Sequence, residues 1–155
     1  MKFSTKEDIE APIDAVFDML SEFENFERSA MRRGAEVQRV DTLSAPGVGM
    51  MWQVVFDLRG KKRDLEIELI TYDRPGEMVF ECTSQGLMCL MSIECMALSR
   101  SRTRAMIALD IKPLNLSARL LVQSLKLAKT SLTKKYKLRV AEYAKTLEDR
   151  YNRTA

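Results

Sequence analysis

The sequence predicts an α+β fold: a curved antiparallel sheet of about seven strands wrapped around a long C-terminal helix, with two short helices between strands 1 and 2. Two observations carry this prediction. Short segments of alternating polarity follow one another between tight turn signals, and a long run after Pro113 contains no glycine or proline. The 155 residues show no repeat and no linker, so a single domain covering 1–155 is expected.

The first strand and the two helices are predicted from residue spacing. The segment KFSTKEDIE alternates in polarity, which is typical of a half-buried strand. Pro12 then suits a first helical turn. The apolar positions of the first helix are Ile13, Val16, Phe17 and Leu20, and those of the second, which ends before Gly34, are Phe23, Phe26 and Ala30.

Six further segments predict an antiparallel meander, because parallel strands would need long crossovers. They are EVQRVDTL, MMWQVVFDL, RDLEIELITY, MVFECTS, LMCLMSIECMAL and TRAMIALDI. A two-residue loop at Gly60 and Lys61 would pair Phe56 with Leu65, Val54 with Ile67 and Trp52 with Leu69. A similar loop at Gln85 and Gly86 would pair Phe80 with Met91, Met78 with Ile93 and Cys82 with Cys89. For the last hairpin, the apolar parity predicts an odd loop of about three or five residues near Arg102, with a bulge.

The C-terminal segment is predicted to cover the apolar face of the sheet. Asn115 or Ser117 can cap a helix that runs to Tyr151, about 35 residues long. Its apolar stripe is Ala118, Leu121, Leu125, Ala128, Leu132, Tyr136, Val140, Tyr143, Leu147 and Tyr151. A coiled-coil seam would have the same spacing, but a helix that follows a curved sheet explains the exposed sheet face directly.

The composition limits the kinds of functional site that the chain can form. The chain has no histidine, and its three cysteines have no metal-site spacing, so neither a metal nor a cofactor is expected. The charged N-terminus is unlike a signal peptide, and no apolar run is long enough to span a membrane. These features lead us to expect a soluble cytoplasmic protein.

The order of elements resembles the helix-grip fold of the START-domain and birch-pollen-allergen superfamily, with the bacterial polyketide cyclase/dehydrase and lipid-transport type as the nearest kind. The resemblance rests on IEAPIDAVFDMLSEFENF, PGVGMMWQVVF, ELITYDRPGEMVFE and LSARLLVQSLKLAKTSL. It implies a cavity between sheet and C-terminal helix that opens toward the short helices. Because such folds host carriers and enzymes alike, and no catalytic motif matches, no catalytic residue is carried over.

The side chains that the alternation turns inward would line this cavity, or would fill it as a solid core. They are Trp52, Val54, Phe56, Leu65, Ile67, Leu69, Met78, Phe80, Cys82, Cys89, Met91 and Ile93, with Leu121 and Leu125 from the helix. Alternation also places Glu7, Arg39, Arg63 and Ser84 inward. A desolvated Glu7 could act as an acid or base, although pairing with an arginine or a place at the rim is the more ordinary interpretation. Cys82 and Cys89 could form a disulfide, but two apolar thiols fit a reducing cytosol better.

The positive charge is concentrated near the C-terminus, where residues 117–155 hold ten Lys/Arg against three Asp/Glu. An anionic membrane surface could bind Lys126, Lys129, Lys134, Lys135, Lys137 and Arg139, although a solvated helix face has the same composition. Nucleic acid is not expected, because no stacking platform or known motif is present. The outward Met88, Leu90 and Met96 suggest a contact in a homodimer.

The functional hypothesis is therefore binding of a hydrophobic small molecule, such as a lipid, quinone or polyketide, by a carrier or sensor. One alternative is a polyketide cyclase or aromatase that uses an inward carboxylate. Another is a protein-interaction module with a filled core.

Overall fold

A computed structural model describes residues 1–58 and 60–154. Seven strands form one antiparallel sheet in the order β1-β7-β6-β5-β4-β3-β2. The strands are β1 Lys2–Ile9, β2 Glu36–Arg39, β3 Met51–Leu58, β4 Lys61–Asp73, β5 Glu77–Ser84, β6 Leu87–Ser99 and β7 Arg102–Pro113. The helices are α1 Ile13–Leu20, α2 Phe23–Arg32, α3 Leu116–Leu127 and α4 Lys129–Thr154. The predicted fold class, with two short helices between the first two strands, is confirmed.

The hairpin between β5 and β6 has the predicted register, with Cys82 opposite Cys89 and Phe80 opposite Met91. Gln85 and Gly86 both have positive φ, at 30° and 83°, as a tight two-residue hairpin requires. The three cysteines of the chain are free thiols.

The predicted register of the β3–β4 hairpin is wrong by two residues. Trp52 lies opposite Ile67 instead of Leu69, and Val54 lies opposite Leu65 instead of Ile67. The paired ends are Leu58 and Lys61, and Arg59 lies outside the described residues. Apolar partners still share one face, because the slip preserves the alternation.

In the β6–β7 hairpin, a bulge alone brings the odd-numbered apolar residues of both strands onto the same face. Ser99 pairs with Arg102, which leaves a two-residue connection instead of the odd loop predicted near Arg102. The register shifts between Ala97 and Ser99, so Cys95 still lies opposite Ala105. The extra residue sits in the strand rather than in the loop.

The C-terminal segment is two helices rather than the single helix that was predicted. Ala128 lies at φ −103°, and its N–H donates to the carbonyl of Leu125 at 3.0 Å in a tightened last turn. α3 packs beside β7, whereas α4 packs along β1, the neighbouring strand of the sheet. On α3, Ala118 and Val122 are buried, while Leu121 and Leu125 of the predicted stripe are half-buried.

The fully buried core lies where α1, α2 and the end of α4 meet the sheet. It includes Phe17, Leu20, Leu69, Met78 and Leu147. Side-chain contacts hold α4 in place: Tyr136 donates to the Ile107 carbonyl at 2.7 Å, and Arg150 donates to Glu22 at 2.7 Å. One end of the sheet is therefore firmly packed.

Candidate ligand-binding face

The strand register assembles the predicted inward residues into rows that run across one face of the sheet. One row is Trp52, Ile67, Cys82, Cys89 and Ile111, and the next is Leu69, Phe80, Met91 and Leu109. Directly paired residues in antiparallel strands point to the same side. The alternation thus brings sequence positions more than fifty residues apart onto one continuous apolar surface, which we call the inner face.

Burial divides the inner face into two halves. Beside α1 and α2, the side chains of Leu69, Met78, Phe80 and Ile93 are buried. Toward the β5–β6 turn the apolar side chains remain half-buried, and this part is the open half. Its members are Val54, Phe56, Leu65, Ile67, Cys82, Cys89, Met91, Leu109 and Ile111.

The position of the open half differs from the sequence expectation. A cavity that opens toward the short helices was expected, but aromatic side chains fill that end. Phe23, at the start of α2, packs against Trp52, Tyr72 and Phe80 with ring centroids 5.6 to 6.2 Å apart. Sequence reasoning did not include Phe23 or Tyr72 in the site, although the apolar spacing of α2 had marked Phe23 as inward.

Trp52 brings a polar group to the packed end. Its side chain is 5% exposed, yet its indole Nε1–H has no hydrogen-bond partner among the described residues. An unpaired buried donor costs about 1 to 3 kcal/mol, so native structures rarely keep one without a reason. The sequence pattern predicts only an apolar role for Trp52.

Arg63 also has a buried donor, its Nε, without a hydrogen-bond partner in the part of the chain that the structure describes. It lies opposite Phe56 at the far end of the open half. The inner face of the β3–β4 pair therefore carries one free N–H near each end, with Val54, Leu65 and Ile67 between them. Of the predicted polar residues, Arg63 keeps its capacity to bind, and Ser84 lies half-buried beside the β5–β6 turn.

Arg39 is engaged elsewhere. Its Nε and Nη2 donate to the two carboxylate oxygens of Asp41 at 2.9 Å each, and Nη2 also reaches the Leu43 carbonyl. The pKa of Asp41 is held well below its ordinary value by Arg39 and by the backbone N–H groups of Met51 and Leu43. This bidentate pair fixes the β2–β3 connection, so Arg39 does not offer a free group to a ligand.

Glu7 lies on the inner side of β1, half-buried and opposite Ala105 of β7. The arginine partner that was the more ordinary expectation is not found, because none of the described ion pairs includes Glu7. The carboxylate is thus at an inward register position, but on the edge strand rather than in the open half.

The two thiols in the middle of the inner face influence each other. A hydrogen bond from Cys89 lowers the pKa of Cys82, while the same contact and burial raise the pKa of Cys89. Burial raises the pKa of Cys95, deeper in the core, to about 11. Within 1–58 and 60–154, no group of three or more Cys, Asp or Glu side chains could hold a metal ion.

Two surface grooves accompany the inner face. One, of about 530 Å³, is lined mainly by outward side chains of β1, β6 and β7, together with Lys137. The other, of about 560 Å³, lies at the β5–β6 turn and includes Val54, Leu65 and Ser84 from the predicted set. Its lining also includes Leu114 and residues of the outer face, namely Gln53, Val55, Asp64, Glu66 and Thr83.

Comparisons with solved structures decide the fold. An aromatase/cyclase from Streptomyces matches with a TM-score of 0.62 and 12% identity, over 86% of this chain and 88% of that one. Norcoclaurine synthase from Thalictrum flavum, a point mutant with a transition-state analogue, matches at 0.66 and 11%, over 97% and 96%. A START superfamily protein from Mycobacterium smegmatis matches at 0.57 and 10%, over 86% and 95%.

The chain has the helix-grip fold. This confirms the START-like and birch-pollen-allergen-like architecture that the sequence resembles. No family model and no curated protein matches the chain, so the likeness is one of fold. None of the described helices is long and apolar enough to cross a membrane.

Proposed function

We propose that this helix-grip protein binds a hydrophobic small molecule, such as a lipid, quinone or polyketide, on the inner face, as a carrier or sensor. The observation that carries the proposal is the open half, a continuous apolar surface that the helices leave half-buried. Burying such a surface under an apolar ligand is favourable at roughly 25 cal/mol per Å². The occurrence of START-type proteins among the structural neighbours supports the proposal.

The two unpartnered N–H groups, one on Trp52 and one on Arg63, indicate which polar groups a ligand would carry. Trp52 Nε1 can donate to one carbonyl or hydroxyl oxygen, and Arg63 can pair with an oxygen-rich or anionic end group. Trp52 and Phe56 are four strand positions apart, about 13 Å. A ligand that satisfies both donors is elongated, apolar in the middle and oxygenated at both ends.

Trp52 is the only tryptophan of the chain, so its fluorescence reports directly on the inner face. Titration with fatty acids, quinones and aromatic polyketides should change its emission saturably for one class. Val54→Lys should abolish the change, because it places a charge on the inner face. The matched control is Val55→Lys on the outer face, where the new cation lies next to Glu36 and Asp64.

Native mass spectrometry of protein purified from its own host gives an independent readout. A co-purifying apolar molecule would identify the ligand class. If the chain is empty and no class changes Trp52 emission, the carrier proposal is wrong, and the protein-interaction module with a filled core becomes the better interpretation.

An enzyme of the cyclase or aromatase kind is the second candidate. It is favoured by the inward, half-buried Glu7, which has no ion-pair partner among the described residues. In this case Glu7 would transfer a proton on a ligand held by the inner face. Turnover of a poly-β-ketone by wild type, lost in Glu7→Gln with ligand binding retained, would support it, whereas unchanged turnover would exclude Glu7.

The partners also remain proposals. A carrier has to exchange its ligand with a source, and the cationic residues of α3 and α4 suit an anionic membrane surface. A homodimer through the outer face is the other proposal, since Met96 is 45% exposed, while Met88 and Leu90 are half-buried.

A further inference from the structure

The helix α3 is apolar on two opposite sides. Ala118 and Val122 are buried against the body of the protein. On the opposite side, Leu116, Leu120 and Leu127 are 73%, 61% and 92% exposed. At 3.6 residues per turn these three leucines lie within about 40° of one another, so they form one stripe that points away from the sheet. We call them the leucine stripe.

Two further leucines, one on each side of α3 in the sequence, are also exposed. Leu114, just before α3, is 65% exposed, and Leu138 on α4 is 60% exposed. A helix with an apolar stripe on its outer side is expected to bury that stripe against something. Among the described residues nothing covers the leucine stripe, so its partner lies outside the chain.

The charges around the leucine stripe identify that partner. Between Ser117 and Arg139 the chain has seven Lys/Arg and no Asp or Glu. Arg119 and Lys126 lie beside the stripe on one side of α3, and Lys129, Lys134 and Lys135 follow in the first turns of α4. A surface of leucines bordered by cations fits the interface of an anionic bilayer, where the leucines enter the acyl boundary and the cations remain with the head groups.

The alternative occupants fit less well. In a symmetric dimer through α3, the cations of one copy would face those of the other without compensating acids, which is unfavourable. Nucleic acid would satisfy the cations but not the leucines. We therefore infer that α3 and the first turns of α4 are a docking surface for an anionic lipid bilayer.

Docking through α3 would bring the open half of the inner face to the membrane. The start of α3 is fastened to the β5–β6 turn, because Leu114 N–H donates to the Gly86 carbonyl and Asn115 caps the helix by accepting from Ala118 N–H. The other side of the helix carries the half-buried Leu121 and Leu125. For its role in ligand exchange the inference rests on the proposed function, whereas bilayer binding itself needs no ligand.

The test is co-sedimentation with phosphatidylcholine vesicles with and without phosphatidylserine, at low and physiological salt. We expect binding only when phosphatidylserine is present, and weaker binding at the higher salt. The leucine variant L120Q/L127Q should bind at least about tenfold more weakly. Its matched control, M96Q/L98Q, changes two exposed apolar residues of β6 and should bind like wild type.

The charge contribution is tested with K126Q/K129Q, which should also lose binding, against K6Q/R100Q, which removes the same charge elsewhere on the surface. Circular dichroism and thermal unfolding verify that each variant is folded.

Absence of binding at both salt concentrations, or equal binding by the leucine variant and wild type, would overturn the inference. A dimer of wild type that L120Q/L127Q dissociates, without vesicle binding, would identify a second copy as the occupant instead. Trp52 titration with soluble ligands is unaffected by these outcomes, so the proposed function is tested separately.

Discussion

The ring of Phe23, the first residue of α2, packs edge-on against the indole of Trp52 with centroids 5.6 Å apart. Phe23 also contacts Phe80 at 6.0 Å and Tyr72 at 6.2 Å, so one side chain closes the end of the inner face beside α1 and α2. The boundary between the packed end and the open half is therefore set by α2, and Trp52 lies at that boundary.

Replacing Phe23 by alanine should open this end. Phe23 is 6% exposed, so removing its ring should lower the free energy of unfolding by about 3 kcal/mol or more. Acrylamide should then quench Trp52 fluorescence more strongly than in wild type. Phe26→Ala, at a side chain that is 39% exposed, is the control and should cost less. Unchanged quenching in a folded Phe23→Ala variant would contradict the closing role of Phe23.

Gly86 is a second position where a single substitution should disturb the site, because it lies against the cap of α3. It has φ +83°, and a Cβ at this position would lie 2.1 Å from the side-chain nitrogen of Asn115, the cap of α3. Gly86→Ala should destabilise by about 1 kcal/mol from the backbone, with more from displacing the cap. Gly47→Ala, where nothing lies within 4 Å and φ is not positive, should be near neutral. Urea unfolding of both variants compares them, and equal midpoints would rule out the contact.

The alternation of apolar residues predicted which side chains share a face, but not every register. A shift of two residues in the β3–β4 pairing keeps the apolar residues on one face, so Trp52 pairs equally well with Ile67 or Leu69 by pattern alone, although Phe56 then lies opposite Arg63. At the β6–β7 hairpin the parity conflict was visible in the sequence. The predicted bulge is present, between Ala97 and Ser99, but the predicted odd loop is not, because the bulge alone corrects the parity.

The open half of the inner face was also predicted only in part, because the sequence pattern does not contain the tertiary packing. Inward positions follow from local periodicity, but whether they are packed or open depends on where α1, α2 and α3 come to lie. The break at Ala128 has no glycine or proline to mark it in the sequence, and α3 and α4 on its two sides pack on neighbouring strands. The pairing of Arg39 with Asp41 had a signal in the local sequence. Asp41 lies two residues after Arg39, and its carboxylate accepts from the N–H of Leu43, as in an Asx-turn.

The thiols of the inner face provide a test of accessibility. Because Cys89 donates to Cys82, the pKa of Cys82 is lowered, whereas that of Cys89 is raised and that of Cys95 is raised to about 11. Since thiolates are the reactive form, Cys82 should react first with iodoacetamide at mildly alkaline pH. Peptide mapping by mass spectrometry gives the order. A bound apolar ligand should slow the reaction at Cys82, and faster labelling of the buried Cys95 would contradict the arrangement.

Asp41 should make stability depend on pH in the acid range. The carboxylate accepts from Arg39, Leu43 N–H and Met51 N–H, so its folded-state pKa is depressed. Its contribution is fully present above the unfolded pKa of about 3.9 and is lost as the pH falls through the folded value. Asp41→Asn should therefore unfold at lower urea than wild type at neutral pH, and the difference should shrink below about pH 4. Asp57→Asn at an exposed outer position is the control; a pH-independent difference for Asp41→Asn would contradict the assignment.

Tyr143 should make the stability of the protein depend on pH in the alkaline range. It packs against Phe26 of α2 with ring centroids 5.6 Å apart, and burial raises its pKa to about 12, with Arg150 opposing the shift and Glu22 adding to it. The unfolded chain loses this phenolic proton near pH 10, before the folded chain does. The contribution of the neutral phenol is thus complete below about pH 10 and declines as the pH rises toward the folded value. Tyr143→Phe cannot ionise, so its stability relative to wild type should improve between neutral pH and about pH 11. Urea unfolding of both proteins at the two pH values measures this, and a relative stability that stays constant or falls would show that the Tyr143 hydroxyl is not buried between α2 and α4.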